Sequence, residues 1–99
     1  VSKKLLYIIE NERLQLTKIG ITDNLNRRLR QLECASGCKL NIYYNTELIN
    51  HAKLIEKSLH EYFKIHRKEG EYFMLNPEII KEKLLFVLNN LTKIYKDNL

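Results

Sequence analysis

The sequence predicts an α+β fold: a small mixed or antiparallel sheet of about three strands, flanked by helices and extended by a C-terminal helix. Three observations carry that expectation. Two β-prone runs, Leu5-Leu6-Tyr7-Ile8-Ile9 and Leu16 to Thr22, are joined by the polar stretch "ENERLQ" and read as a hairpin. Leu25, Leu29 and Leu32 then recur at helical spacing, with Arg27, Arg28, Arg30 and Gln31 between them. Two later segments repeat that helical period with broader apolar stripes.

Taken in order, the hairpin leads into Asp23-Asn24, a turn and helix N-cap signal. The basic amphipathic helix that follows stops at "ASGCK", where Gly37 suits a C-terminal cap. Leu40 to Tyr44, rich in β-branched and aromatic residues, reads as a third strand. Residues 47 to 64 read as a helix with Leu48, Ala52, Ile55, Leu59, Tyr62 and Phe63 as its buried stripe. "HRKEG" breaks it, "EYFML" is a short extended piece, and Asn76-Pro77 opens a last helix over residues 77–97. There Ile80, Leu84, Leu88, Leu91 and Tyr95 form the packing stripe, widened by Leu85, Val87 and Ile94. With no repeat, low-complexity segment or linker, residues 1–99 read as one domain with its core in 5–75.

Composition narrows the class. Apolar residues make up 44% and charged residues 29%, which excludes a disordered tail. No apolar run is long enough to span a bilayer, and "VSKKLLYIIENER" has only a five-residue apolar run, so neither a membrane anchor nor a signal peptide is expected. Cytoplasmic residence is the default. A formal net charge of +5 points toward a polyanionic partner. Cys34 and Cys38, the two cysteines, make neither a disulfide framework nor a zinc site, because no second ligand pair accompanies them.

The polar residues outside the apolar stripes are the informative ones. Tyr7 sits in the middle of the first strand, and Lys18 and Gly20 share one side of the second. Arg28 follows about two helical turns after Gly20, and Glu56 and His60, four apart, share a helix face. Each has a plain structural reading: a half-buried strand aromatic, an edge-strand lysine, a solvated arginine, a helix-surface carboxylate and a packed histidine. Composition and periodicity alone stop at a basic α+β domain.

In order and spacing, however, these residues resemble the GIY-YIG nuclease superfamily. Leu5-Leu6-Tyr7 stands where that family has its first motif and Lys18-Ile19-Gly20 where it has its second. Arg28-Leu29 follows at the matching distance, and Glu56 stands at the position of the metal-binding glutamate. The likeness is closer to one branch, the meiotically-up-regulated-gene and phage-orf type, through Lys-Ile-Gly, through Ala52, Glu56, Leu59, His60 and Phe63, and through Gly70-Glu71-Tyr72-Phe73. It departs from the family in lacking the first glycine and in carrying Lys18 where many relatives have tyrosine.

The resemblance implies metal-dependent hydrolysis of DNA phosphodiester bonds, with Tyr7, Lys18, Arg28, Glu56 and His60 as catalytic residues. Tyr7 would be the general base. Holding a free tyrosine ionised at pH 7 costs about 4 kcal/mol, which Lys18 and Arg28 would reduce. Lys18 would also orient the water, and Arg28 would grip the scissile phosphate. Glu56 would hold one Mg²⁺ or Mn²⁺. His60 would bond either the phosphate or Tyr7. Gly20 would give clearance for substrate or a neighbouring backbone, and Arg27, Arg30, Lys39 and the lysines of residues 64–68 would meet outer phosphates. Two other readings stay open: a nucleic-acid-binding module that does not cut, and a phage or mobile-element domain that engages a host protein.

Overall fold

The first strand, β1 (Leu5–Asn11), is buried on both faces, and the rest of the molecule is arranged around it. The structure, a computed structural model, describes the backbone over residues 3–95 and side chains over residues 3–91. Leu6, Tyr7, Ile8 and Ile9 are each at most 1% exposed. A strand wedged between two layers needs apolar side chains at every position, which explains a continuous apolar run where a half-buried strand would alternate.

Tight antiparallel pairing joins β1 to β2 (Leu16–Thr22) in the expected hairpin. The Asn11 side chain closes the turn by accepting from the Leu14 N–H, and Gln15 takes a positive φ of 57°. Next come α1 (Leu25–Ser36), β3 (Asn41–Asn45) and α2 (Ala52–Tyr62). A 3₁₀ turn (Lys64–His66), β4 (Arg67–Glu69), β5 (Tyr72–Phe73) and α3 (Pro77–Tyr95) complete the chain. The sheet runs in the order β3-β1-β2-β5-β4, with every pairing antiparallel. It therefore has five strands, not about three. The two extra strands are three and two residues long, too short to show a period in the sequence.

Alternation along β1 sorts the core. Leu6 and Ile8 face α2 and α3, joining Ile19, Ile55, Leu59, Phe63, Phe73, Ile80 and Leu84. Tyr7 and Ile9 face α1, joining Leu32 and Leu40, with Leu25 and Leu29 packed alongside. The caps of α1 are those its sequence suggests. The Asn24 side chain accepts from the Arg27 N–H at 3.0 Å, and Gly37, at φ 71°, sends its N–H to the Glu33 carbonyl.

Two expectations need correction. The second helix begins at Ala52, not at residue 47, because Ile49 exchanges both backbone hydrogen bonds with Lys4 as an isolated bridge. Leu48 therefore lies before the helix, at 50% exposure; Tyr62, at the other end of α2, is 61% exposed, and Leu85 on α3 is also exposed. The expected helix at residues 77–97 is found over 77–95. Its last two residues, and the side chains of Ile94 and Tyr95, lie outside the described residues. Among the described residues no helix is long and apolar enough to cross a membrane.

The β1–β2 register sets Tyr7 directly opposite Gly20. A Cβ at residue 20 would overlap the Tyr7 hydroxyl and Cζ and lie 2.9 Å from Cε1. The clearance that glycine provides is thus filled by the tyrosine ring of this chain, not left open for substrate. Gly20→Ala should destabilise the fold by about 2 kcal/mol or more in chemical denaturation, because the ring is wedged against backbone and cannot yield. In a Tyr7→Ala background the same substitution should cost far less, since the two side chains would no longer compete for one space.

Candidate active site

Tyr7, lying across Gly20, presents its hydroxyl to α1. Asn24 caps that helix, and Arg28 follows one turn later, its N–H on the Asn24 carbonyl. From there the Arg28 Nε donates to the Tyr7 hydroxyl at a long 3.4 Å, while Nη1 reaches Gln31. Arg28 is half-buried and reaches solvent; Tyr7 beneath it is 1% exposed.

Two residues along β2, on the same side as Gly20, Lys18 is 6% exposed. Its Nζ donates to Glu71 Oε2 at 2.7 Å and sits 4.9 Å from the centre of the Tyr72 ring. The short strand β5 delivers both partners. It pairs Tyr72 with Lys18, and the Glu71 carbonyl accepts from the Ile19 N–H at 3.4 Å. A lysine removed from water in this way is tolerable because a carboxylate and an aromatic face meet its charge.

On α2, His60 is held away from Tyr7. Its Nε2 lies 2.9 Å from the Ile19 carbonyl oxygen, so Nε2 carries the proton and donates, and its ring packs edge-on to Phe73. β5 pairs only with Thr17 and Lys18, so the Ile19 carbonyl would otherwise sit on an unpaired sheet edge. His60 caps that edge and ties α2 to β2. Glu56, one turn earlier on the same face, is thereby brought within electrostatic reach of Lys18 and Glu71.

The balance of charge and burial is uneven across these groups. Burial pushes the Tyr7 phenol above its ordinary value, and the Arg28 hydrogen bond offsets only part of this. The expected help to ionisation therefore comes from Arg28, is smaller than the burial cost, and leaves Tyr7 a neutral phenol. The same hydrogen bond holds the Arg28 guanidinium more firmly protonated. Glu56 is pushed up by burial first and by the charge of Glu71 second, against the pull of His60, Lys18 and Lys53. Tyr72 is raised, chiefly by burial.

Residues 4–88 match the profile of the T5orf172 domain. The chain belongs to the T5orf172 domain family. That domain occurs in endonuclease-like proteins of phages and mobile elements. The chain is also similar to the uncharacterized protein 460R of Invertebrate iridescent virus 6, at 33% identity over 90 residues. The match covers 86% of this chain and 40% of that protein, so the chain spans about two fifths of its relative's length. No solved structure matches it.

Within this T5orf172 domain Arg28 meets Tyr7 directly, Glu56 lies within electrostatic reach of Tyr7, Lys18 and His60, and His60 is bonded to the Ile19 carbonyl. The outer cations stand apart: Arg30 and Lys39 are exposed, and Arg27 is paired with Asp23 at 2.7 Å. Glu71 and Tyr72 are the site residues that residue-by-residue reading passes over. Their signal is the Gly70-Glu71-Tyr72-Phe73 stretch, legible as a motif but without an assigned partner until β5 docks on β2.

The donor set suits a hard divalent cation in its chemistry. Glu56 is a half-buried carboxylate raised by burial and by a neighbouring negative charge, and a cation beside it would relieve both. Among the described residues no three His, Cys, Asp or Glu side chains gather into a cage, so such an ion would be held mainly by water and phosphate oxygens.

A carboxylate raised in the fold favours folding most when protonated, and that contribution is lost as pH rises through its folded pKa. At neutral pH, ionised Glu56 therefore works against stability. Glu56→Gln should raise the melting temperature at pH 7, and the gain should shrink as pH is lowered through the carboxylate range. Equal melting temperatures at pH 7 would remove the electrostatic tension assigned to this position.

Proposed function

We propose that this T5orf172 domain is a metal-dependent endonuclease of GIY-YIG type that hydrolyses DNA phosphodiester bonds. The observation that supports the reading is the meeting of Tyr7 and Arg28 over Gly20, with Glu56 within electrostatic reach of Tyr7 and Lys18. A phenol, a guanidinium and a frustrated carboxylate together are what an attack by water on a phosphodiester requires.

Arg28 grips two oxygens of the scissile phosphate with its planar fork, and in turning toward them it uncovers the Tyr7 hydroxyl. Tyr7 takes the proton of the attacking water. A new P–O bond forms as the bond to the 3′ oxygen breaks, and that oxygen leaves with a proton from solvent. Because Tyr7 begins as a neutral phenol, it must lose its own proton before it accepts another. Glu56 would hold the Mg²⁺ or Mn²⁺, which when bound would supply Lewis-acid stabilisation of the leaving oxygen. His60 acts as the anchor of the helix that carries Glu56. Lys18 adds a fixed positive charge on the Tyr7 side of the sheet, and Arg27, Arg30, Lys39 and the lysines of residues 64–68 supply outer phosphate contacts.

A second reading, a module that binds nucleic acid or a host protein without cutting, is favoured by two observations. The Tyr7 phenol is buried and neutral, and α3 exposes Ile79, Leu85 and Phe86. Incubation with supercoiled plasmid and Mg²⁺ or Mn²⁺ separates the two. Nicking should depend on the metal and should fall by at least about a hundredfold in Arg28→Ala, Glu56→Ala and Tyr7→Phe. Salt-sensitive DNA binding without nicking would select the non-cleaving module instead.

The pH dependence follows from the direction of the Tyr7 shift. A base that is active only as phenolate, with its pKa pushed above the ordinary tyrosine value by burial, should give a rate that climbs about tenfold per pH unit from pH 7 to pH 9 without a plateau. A profile levelling near pH 7 would assign the base to another group.

A further inference from the structure

We propose that Glu71 is a positioning residue of this site, acting through Lys18 and setting cleavage against DNA affinity. The inference rests on the nuclease reading above and adds to it a residue with an assigned task. The Lys18 side chain is 7% exposed, and its Nζ is held at 2.7 Å by Glu71, whose own side chain is 41% exposed. The cation is therefore inside and its anion is on the rim. The backbone gives Glu71 little choice of place, because its carbonyl accepts from Ile19 and the next residue pairs with Lys18. The ammonium also lies 4.9 Å from the centre of the Tyr72 ring.

Two consequences follow from an anion at that position. Lys18 is not a free phosphate grip, since its charge is already met by a carboxylate and a ring, and it can serve only as a cation fixed in place. Glu71, on the rim, also puts a negative charge within electrostatic reach of Arg28, the proposed phosphate grip. Its charge acts on Tyr7, Arg28, Glu56 and Tyr72, the groups on which the site is built. Removing the charge of Glu71 while keeping its shape releases Lys18 and lowers the repulsion of DNA. Binding then improves while the arrangement needed for cleavage is lost. A residue that merely supported the fold would lose both together.

The test compares the wild-type chain with Glu71→Gln and Glu71→Asp in three measurements. The first is the NMR signal of the Lys18 side-chain ammonium, assigned by its absence in Lys18→Arg. The second is affinity for a short DNA duplex without divalent metal. The third is single-turnover cleavage with Mn²⁺. For Glu71→Gln the Lys18 signal should vanish into exchange with water, DNA affinity should rise about threefold, and the cleavage rate constant should fall about tenfold. Glu71→Asp, which keeps the charge but shortens the reach, should fall between the two. Wild-type cleavage by Glu71→Gln, or affinity and cleavage falling together, overturns the proposal. If the wild-type chain does not cleave, the nuclease reading fails. The restraint that Glu71 places on Lys18 and on DNA binding then stands alone when the Lys18 signal is lost and affinity rises, and falls when either is unchanged.

Discussion

The Tyr7 ring lies flat across the backbone of Gly20, and the rest of the site takes its geometry from that contact. Only a residue without Cβ leaves room for the ring. Only the antiparallel register of β1 and β2 puts the two residues opposite each other. With the ring seated there, its hydroxyl is aimed at α1, where Arg28 meets it one turn beyond the Asn24 cap. Three local decisions, a hairpin register, a glycine and a helix cap, together place a phenol against a guanidinium. A one-residue slip of the register would turn every side chain of β2 to the other face and undo all of them.

Electrostatics adds tension to this rigid frame. The centre holds Arg28 and Lys18 against Glu56 and Glu71, so opposite charges nearly balance, but not pairwise. Lys18 and Glu71 are matched at 2.7 Å. Arg28 instead faces a neutral phenol, and Glu56 is raised by burial and by the charge of Glu71. Among the described residues, the members without an ion-pair partner are one cation on α1 and one anion on α2. A phosphate and a divalent ion complement those two charges, and this is the physical content of the nuclease reading. Natural proteins accept such local frustration where function needs it and recover stability elsewhere, here in a strand buried on both faces.

Much of this was legible in the sequence, for physical reasons. The hairpin, the Asn24 cap, the Gly37 stop and the Pro77 start each depend on contacts within a few residues, so local pattern reveals them. Tyr7, Lys18, Arg28 and Glu56 were legible as an ordered set, although no one of them stands out alone. What stayed hidden depends on distant partners. β4 falls in the "HRKEG" break, and although "EYFML" reads as extended, nothing in it names the β2 edge as the partner of β5. The start of α2 depends on Ile49 being occupied by Lys4, across more than forty residues. His60 looked like a phosphate or tyrosine ligand because a bare sheet-edge carbonyl leaves no trace in sequence; its partner is the Ile19 carbonyl. Gly20 was read as clearance for substrate or a neighbouring backbone; the space is taken by the Tyr7 ring, which could be named only once the register was known.

If Arg28 and Glu56 serve one phosphodiester site built on the Tyr7–Gly20 contact, a crystal structure with a non-cleavable phosphorothioate DNA and Mn²⁺ will show both engaged. The expected complex has a backbone phosphate held by Arg28, a manganese ion bound to Glu56 and a phosphate oxygen, and Arg28 turned away from an uncovered Tyr7 hydroxyl. DNA bound on another face, with Arg28 still on Tyr7 and no metal at Glu56, would rule out this site.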